Sequence, residues 1–458
     1  MSRRCWTRTF EAFAAAVLAA LTLPFAQAGA ETPSEQYRVY TEAPRLFLRP
    51  QRLRLLRRER ERQSIRWMQF SALLSGGAPM PEPGFAEALD FAASGDKTAG
   101  RKAAEWALRD GKDTRQLALV LDWCRDALSD DQRKAIAQRL LGRLASQDAR
   151  DVRAVRDRVL AAIAVADYEP AAAERTLRSV VEHWWLEQTV PGLRSGDLGF
   201  TQAELYPLFE IVHAIRDNLN VDLREDAPRY FKLLPLWYVA SFYPAPYEAA
   251  ANEYRVPSWT GNGEPDPGGA ALGRAAGLAM VASDTNATET QYAQSFLMED
   301  RFMMRDTFGA PYEFLWANPY QPGLAYTLLP PVFYDAPRGA LFVRSSWDED
   351  ARWFGIVGGE FQLFEDGRVR VLAMGPAAAA APRPLEVGSA EVVRWRAPLR
   401  AEAGADTLFV VGARAGAKYN VEIEDEEMQE SEADRAGTLR LDLPKDRHPR
   451  VYLSAAGR

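Results

Sequence analysis

The sequence has few histidines and cysteines, and this scarcity limits the chemistry the chain can perform. Its 458 residues include two cysteines, and one of them, Cys5, lies in the first segment of the chain. Removal of that segment leaves Cys124 alone, so the remaining chain can form no internal disulfide. The three histidines, His183, His213 and His448, are too far apart in sequence to form a zinc motif. We therefore expect no metal site.

An excess of positive charge and a long hydrophobic segment are also missing. The chain has 56 basic and 63 acidic residues, a net charge of −7, which argues against nucleic acid as a partner. The apolar run from Ala14 to Phe25 is shorter than the roughly 20 residues that span a bilayer. Three arginines precede it and small residues follow it up to Ala30, a pattern typical of a signal peptide over residues 1–30. Its cleavage would leave 53 basic and 62 acidic residues, no membrane segment, and a periplasmic or secreted protein of net charge −9.

Cys124 has the spacing of a structural residue. Leu117, Leu121, Cys124 and Leu128 recur at intervals of three and four, which places them on one face of a helix. A cysteine among leucines on such a face behaves as a small buried hydrophobe. We expect it to be buried and unreactive.

The apolar spacing is helical from about residue 47 to residue 300. A capping box over Ser129–Gln132 marks one helix start, and Ile136, Leu140 and Leu144 follow on its buried face. Short connections between such segments predict antiparallel helix pairs in series, as in a solenoid or a closed toroid. No fixed repeat period is present, which argues against a solenoid of identical units.

The first predicted helix is rich in arginine. Leucines alternate with the basic residues, and Glu59 and Glu61 offset part of the charge. The pattern predicts an amphipathic helix whose polar face is either solvated or forms a basic rim for uronates. Its arginines are Arg52, Arg54, Arg57, Arg58, Arg60 and Arg62.

Short β-favouring runs, separated by Gly, Asp and Pro, replace the helical pattern after about residue 330. They predict an antiparallel β domain over residues 336–458, after a helical domain over 31–330. An alanine-rich segment, 377–381, is expected to be a surface loop, and the acidic stretch 422–432 a solvated hairpin. The runs are 341–343, 353–357, 361–364, 369–372, 408–411, 419–423 and 439–443.

Four segments, in this order along the chain, resemble the heparinase II/III-like polysaccharide lyases. They are Pro44–Leu48 before the first helix, the Asp122-Trp123 helix hairpin, the helix start Phe200–Tyr206, and the strand Gly339–Trp347. The resemblance implies an incomplete (α/α) toroid followed by an antiparallel β-sandwich, a multidomain α+β protein. It also implies β-elimination on a uronate-containing polysaccharide, which needs no cofactor.

The chain departs from this family where the family places its histidines. The family's His-x-His-x-Asp cluster is replaced by the segment 358–363, Gly-Gly-Glu-Phe-Gln-Leu. Arg156-Asp157-Arg158 stands where an Asn-His pair is expected to neutralise the substrate carboxylate, and Gln202-Ala203 replaces Glu-Gly. The activity implied by the resemblance therefore needs other residues.

Candidate catalytic residues lie on the helix that begins near Gln202. Tyr206 matches the tyrosine of the family's helix start, which serves as base or acid, and Glu204 lies beside it. His213 follows Tyr206 by seven residues, on the same helix face, where it could neutralise a carboxylate. Gln202 is a candidate substrate-binding residue. Tyr206 and His213 could instead be structural residues of the helix packing.

The polar segment 252–266 is the best candidate for a functional loop, because it is rich in Gly and Pro and lies between helices. Tyr254 could abstract a proton, Arg255 could hold a carboxylate by two hydrogen bonds, and Trp259 could stack on a sugar ring. Asn262 is a further candidate substrate-binding residue.

Three hypotheses follow. The first is an exported lyase in which Tyr206 or Tyr254 acts as acid and base. The second is a non-catalytic relative that binds an acidic polysaccharide or oligosaccharide or serves as a scaffold. The third is a toroidal glycosidase that uses two carboxylates, such as Glu204 and Asp266.

Overall fold

A computed structural model describes residues 35–146, 151–246, 255–258, 267–298, 303–372, 384–424, 428–444 and 448–456. The chain divides into two compact units, and the description below concerns the second, Val39–Arg458. In the first unit the described residues include a short 3-10 helix, Glu35–Tyr37. The predicted signal peptide and the alanine-rich segment 377–381 lie outside the described residues.

Helices occupy the part of the chain where the apolar spacing predicts them. A π-helical segment, Val180–Thr189, joins α8 to α9 without a break. No described helix has the length and apolar character needed to cross a membrane. The helices are α1 (Pro50–Glu61), α2 (Ile65–Ser75), α3 (Pro83–Ser94), α4 (Lys97–Arg109), α5 (Thr114–Trp123), α6 (Asp130–Ser146), α7 (Val152–Ala164), α8 (Pro170–Ser179), α9 (Val190–Ser195), α10 (Gln202–Leu219), α11 (Pro228–Ala240), α12 (Pro267–Ser283), α13 (Thr288–Leu297) and α14 (Gly309–Trp316).

The helix starts follow from local sequence. Asp96, Asp113 and Asp151 each accept a hydrogen bond from a backbone N–H in the first turn of α4, α5 and α7. The predicted capping box at Ser129 is present, because Ser129 and Gln132 exchange hydrogen bonds of 2.9 and 3.3 Å. Proline opens α1, α3, α8 and α11, where its missing N–H costs nothing.

Six of the helices pack in a closed cycle. Each of α3, α5, α7, α10, α12 and α14 contacts the next, and α14 contacts α3. The helices α4 and α6 each contact the two helices of the cycle that flank them in sequence, and α13 contacts α12. Every residue of α5 and of α14 is buried, as expected for helices with neighbours on all sides.

All seven predicted β runs are strands. The sequence did not predict the hairpin of β1 and β2 inside the helical region, and the first strand after the helices begins at Val332. The strands are β1 (Phe242–Pro246), β2 (Arg255–Pro257), β3 (Val332–Asp335), β4 (Ala340–Arg344), β5 (Trp353–Val357), β6 (Glu360–Glu365), β7 (Arg368–Leu372), β8 (Leu385–Val387), β9 (Ala390–Arg394), β10 (Leu399–Glu402), β11 (Thr407–Val411), β12 (Lys418–Ile423), β13 (Gln429–Glu432), β14 (Leu439–Asp442) and β15 (Arg450–Ala455).

The described strands of the C-terminal part form three stacked sheets. The orders are β3-β4-β5-β6-β7, β14-β11-β9-β8 and β10-β15-β12-β13. Leu408 and Val410 of β11 pack towards the third sheet, and Phe409 and Val411 pack towards the first, so the second sheet lies between the other two. The prediction of a purely antiparallel domain is wrong at one pair, because β9 and β11 run parallel.

The helical part packs on the outer face of the first sheet. Phe342, Trp353 and Phe364 of that sheet form one apolar cluster with Ala240 and Tyr243. The structure therefore has a helical N-terminal part and a mostly antiparallel C-terminal part, as the sequence predicts, with an aromatic contact between them.

Candidate functional site

A cleft of about 860 Å³ lies along α1, between the C-terminal ends of α10 and α12 and the segment that follows α14. Buried Phe47, His213 and Trp316 form its floor. The exposed ring of Tyr320 lies at its wall. We call this feature the arginine cleft, after the six arginines that line it: Arg49, Arg52, Arg54, Arg57, Arg58 and Arg216.

The positive charge of the arginine cleft is largely unneutralised. Asp217 and Glu61 are the acidic side chains that line it, and Asp217 lies 3.5 Å from Nε of Arg216. The other five arginines form no ion pair with the described residues. The cleft therefore concentrates positive charge in a chain whose net charge is negative.

Arg52 is held beside the cleft floor. Its Nη1 donates a 2.9 Å hydrogen bond to the carbonyl of Trp316, and its guanidinium lies 5.7 Å from the centre of the Trp316 ring. Its remaining N–H groups make no hydrogen bond with a described residue. Burial lowers the pKa of Arg52 to about 10, against the opposing charges of Asp217 and Glu59, which still leaves it cationic at neutral pH.

His213 is uncharged, and both of its ring nitrogens form hydrogen bonds. Its Nε2 lies 2.8 Å from the carbonyl of Ala279, to which it donates, and its Nδ1 accepts from Nη2 of Arg216 at 3.3 Å. Burial, with the positive charge of Arg216, lowers the pKa of His213 to about 3. In this state the imidazole is uncharged and both of its nitrogens are bonded, and the role of His213 against a substrate carboxylate stays a prediction.

Tyr320 offers a flat ring at the cleft wall. The guanidinium groups of Arg58 and Arg62 lie 4.5 and 5.9 Å from the ring centre. Cation–π contacts of this kind hold both the ring and the charges in place without neutralising them. The sequence analysis missed Trp316 and Tyr320, although the segment 316–321 combines aromatic and polar residues after a helix end.

Tyr206 lies inside the helical cycle, where a network of buried groups surrounds it. Its hydroxyl accepts hydrogen bonds from Nη2 of Arg115 at 3.2 Å and from Nε1 of Trp316 at 3.1 Å. Burial and the negative charge of Glu210 raise the pKa of Tyr206 well above its usual value. A phenol held in this way would have to leave the network before it could act as a base.

Glu210 forms ion pairs with two arginines of this network. Its carboxylate accepts from Nε of Arg115 and from Nη1 of Arg156, both at 2.7 Å. These two cations lower the pKa of Glu210 despite its burial. Arg156, from the segment that replaces the family's Asn-His pair, is therefore paired within the protein and has a structural partner.

Glu204 and Gln202 serve the start of α10. Glu204 accepts from the backbone N–H and the hydroxyl of Thr201, at 2.9 and 2.8 Å, which completes a capping box. Gln202 donates to the hydroxyl of Ser241 at 2.8 Å, while its buried Oε1 has no hydrogen-bond partner among the described residues. The structure thus brings Tyr206 and His213 to buried positions on α10 and leaves Glu204 at its capped start.

The predicted functional loop is mostly outside the described residues. Tyr254, Trp259, Asn262 and Asp266 all fall there, and of Arg255 only the backbone is described, as the first residue of β2. Their roles stay predictions.

Two of the motifs that carry the family resemblance meet in the structure and have structural roles. Asp122 accepts from the backbone N–H groups of Arg45 and Leu46, both at 2.8 Å, and Trp123 donates to the carbonyl of Leu46 at 2.8 Å. They anchor the chain entering α1 to α5.

The predicted structural role of Cys124 is confirmed. The side chain is buried, and burial raises the pKa of its thiol, so the reactive thiolate does not form at neutral pH.

His183 lies apart from these sites, exposed and paired with Glu187 at 2.9 Å. Within the described ranges, no three His, Cys, Asp or Glu side chains come together as a potential metal site.

Comparisons with known proteins give no family assignment. No protein-family model matches the chain, and no curated protein is detectably similar in sequence. Two solved structures are similar over much of the chain. A glycoside hydrolase has 9% identity and a TM-score of 0.29, over 82% of this chain and 71% of that chain. Heparan sulfate lyase HepC from Pedobacter heparinus has 13% identity and a TM-score of 0.33, over 81% and 75%. Both TM-scores are below 0.5, so the functional conclusion has to rest on the site itself.

Proposed function

We propose that this protein is exported and binds an acidic polysaccharide or oligosaccharide in the arginine cleft. The observation that carries the proposal is the set of five arginines without an ion-pair partner among the described residues, around a cleft large enough for an extended ligand. Unpaired charge in a concave site is stabilised when a ligand of opposite charge enters. A uronate polymer supplies one carboxylate on each sugar.

Aromatic rings favour a sugar over other anions. Tyr320 presents an exposed ring, and buried Trp316 and Phe47 line the floor, so apolar faces of pyranose rings find partners beside the charges. A nucleic acid would also bring negative charge, but nucleic-acid-binding domains are basic overall. This chain has seven more acidic than basic residues.

The proposal includes the architecture that the resemblance implies. The closed packing of α3, α5, α7, α10, α12 and α14 supports an (α/α) toroid. The stacked sheets support a β-sandwich-like domain with one sheet more than a simple sandwich. Residues 1–30 as a signal peptide, 31–330 as the toroid and 336–458 as the β domain complete the proposed organisation.

We propose binding rather than cleavage as the main function because three of the predicted catalytic residues have structural environments that do not favour catalysis. Tyr206 is buried and hydrogen-bonded, His213 is uncharged and Glu204 caps a helix. β-Elimination would then fall to Tyr254, with Arg255 against the carboxylate. Incubation with uronate polymers, monitored at the ultraviolet absorbance of the unsaturated product, tests this. Product formation that Tyr254→Phe abolishes would establish a lyase, and reducing ends without unsaturation would establish a glycosidase.

The binding proposal is tested with soluble oligomers and a charge-reversal variant. We expect oligogalacturonate to bind the wild-type protein, and binding to weaken with added salt. The double variant Arg54→Glu/Arg57→Glu should bind at least about tenfold more weakly, because each reversal removes an attraction and adds a repulsion on the order of 1 kcal/mol. Calorimetric titration measures both affinities.

Arg101→Glu is the matched control. Arg101 is an exposed arginine of α4 that does not line the cleft, so its reversal should leave the affinity within about twofold. Equal weakening by Arg101→Glu would show that only the overall charge matters. Absence of oligogalacturonate binding, or tighter binding of single-stranded DNA, would refute the proposal.

A further inference from the structure

The arginines of the cleft are not equivalent, and the difference suggests how a ligand would lie in it. Arg52 is fixed from one side, through Nη1 to the Trp316 carbonyl, and its other N–H groups have no hydrogen-bond partner in the part of the chain that the structure describes. Arg54 and Arg57 are exposed on the same helix, with no hydrogen bond to a described residue. A fixed guanidinium with free N–H groups loses little conformational entropy when it binds an anion.

The wall at Tyr320 is a second, different environment. Arg58 and Arg62 hold the ring, and almost half of its surface, 46%, is exposed. Arg52 and Arg58 are six residues apart on α1, which corresponds to roughly 9 Å along the helix. That separation is longer than one sugar ring, so a single monosaccharide would not reach from one environment to the other.

We propose that Arg52 is the subsite that anchors one carboxylate of the acidic glycan, and that Tyr320 is a separate platform on which a sugar further along the same chain stacks. This inference rests on the proposed function and adds an orientation to it. The anchored carboxylate meets a planar pair of N–H donors, a geometry that a guanidinium provides and an ammonium does not. The lowered pKa of Arg52, a result of burial, is consistent with a guanidinium that has lost water and gains from an anionic partner.

Two ligand lengths separate the two subsites. Galacturonate and hexagalacturonate are titrated by calorimetry or NMR into the wild-type protein, Arg52→Lys and Tyr320→Leu. Arg52→Lys keeps the charge but loses the planar donor pair, so it should weaken the binding of both ligands by the same factor, about tenfold. Tyr320→Leu should weaken the binding of hexagalacturonate about threefold to tenfold and leave the binding of galacturonate unchanged, because only the longer ligand reaches the ring.

Arg101→Lys is the matched control, since it makes the same replacement at an exposed arginine outside the cleft. A thermal unfolding curve for Arg52→Lys guards against a merely structural effect through the Trp316 carbonyl, and Arg52→Gln provides a second variant at the position. A structural effect would weaken ligand binding by lowering the folded fraction of the protein, whereas loss of the anchor weakens ligand binding in the fully folded protein.

The outcomes distinguish this inference from the proposed function. If hexagalacturonate binds and Arg52→Lys behaves like Arg101→Lys, the anchor is refuted and the cleft remains a binding site. If hexagalacturonate binds the wild-type protein but galacturonate does not, or if Tyr320→Leu weakens the binding of both ligands equally, the division into two subsites is refuted. If neither ligand binds the wild-type protein, the proposed function itself fails.

Discussion

Arginine side chains have two different environments in this molecule. In the interior, Arg115 and Arg274 are buried and meet carboxylates at 2.7 and 2.8 Å, in Glu210 and Glu313. Along the cleft, arginines such as Arg52 have no such partner among the described residues. Because an unpaired buried charge is costly, the paired arginines belong to the folded structure, and the unpaired ones retain their attraction for a ligand.

His213 gives a prediction at the residue scale. Its pKa falls from the ordinary 6.5 to about 3 in the folded protein, so below pH 6.5 the unfolded chain takes up a proton that the folded protein refuses. This contribution to the unfolding free energy is fully present above pH 6.5 and is lost as the pH falls towards 3, by at most on the order of 5 kcal/mol. The variant His213→Gln keeps a donor and an acceptor but does not titrate. In this variant, the part of the decrease in unfolding free energy at acid pH that is due to His213 should vanish.

Urea unfolding at pH 7.0, 6.0, 5.0 and 4.0 measures the effect. The unfolding free energy of the wild-type protein, relative to that of His213→Gln, should decrease at each step towards acid pH. His183→Gln is the control, because His183 is exposed and its pKa is raised by Glu187. This variant should show the same decrease in unfolding free energy towards acid pH that His213 causes in the wild-type protein. Parallel pH curves for the wild-type protein and His213→Gln would show that His213 is not held neutral by the fold.

Much at this scale could not be predicted from sequence. The burial of Cys124 follows from helical spacing over a few residues, which is local information. The neutral state of His213 depends on its burial in the folded protein, and the partner of its Nε2, the carbonyl of Ala279, lies 66 residues further along the chain. Tyr206 likewise meets Trp316 across 110 residues. Motif position locates such side chains on a helix but does not give their partners.

At the scale of elements, the contact of α11 with α12 depends on a glycine. A Cβ atom added at Gly277 of α12 would lie 2.5 Å from the hydroxyl oxygen of Tyr238, which itself donates to the carbonyl of Gly273 at 3.0 Å. Because Tyr238 is fully buried, it has little room to move. The glycine is therefore needed for this close approach.

Gly277→Ala should destabilise the protein by about 1–3 kcal/mol, the usual cost of overpacking. Gly142→Ala is the matched control in α6, where an added Cβ meets nothing within 4 Å. Since alanine has the better helix propensity, Gly142→Ala should stabilise the protein by about 0.5–1 kcal/mol. Equilibrium urea unfolding compares both variants with the wild-type protein, and an equal, stabilising effect of the two substitutions would contradict the proposed close packing.

Sequence patterns predicted elements better than their arrangement. The alternation and β-branched content of β4, β5, β6 and β7 identify them, and consecutive pairing then gives their order. The parallel pair of β9 and β11 could not be predicted in this way, because β10 between them leaves for another sheet. Both faces of β11 are buried, so its apolar run carries no signal of which face meets which sheet.

At the scale of the whole molecule, the arginine cleft combines segments that are distant in sequence. The arginine-rich helix indicated a solvated face or a uronate rim, and the structure surrounds that helix with residues 213–217, 282–285 and 316–321. Their convergence follows from the packing of α10, α12 and α14, which no local pattern shows. The sequence therefore pointed to the charge of the site without giving its walls.

The position of the bound glycan is the central claim, and hydrogen–deuterium exchange of the wild-type protein with and without hexagalacturonate tests it most directly. Binding in the arginine cleft should slow exchange in peptides covering residues 49–61 and 316–321, because the ligand suppresses local opening of the segments it contacts. Peptides of β10–β15 should exchange as before. Slower exchange confined to residues 254–266, or no change in the peptides that line the cleft at saturating ligand, would contradict the account.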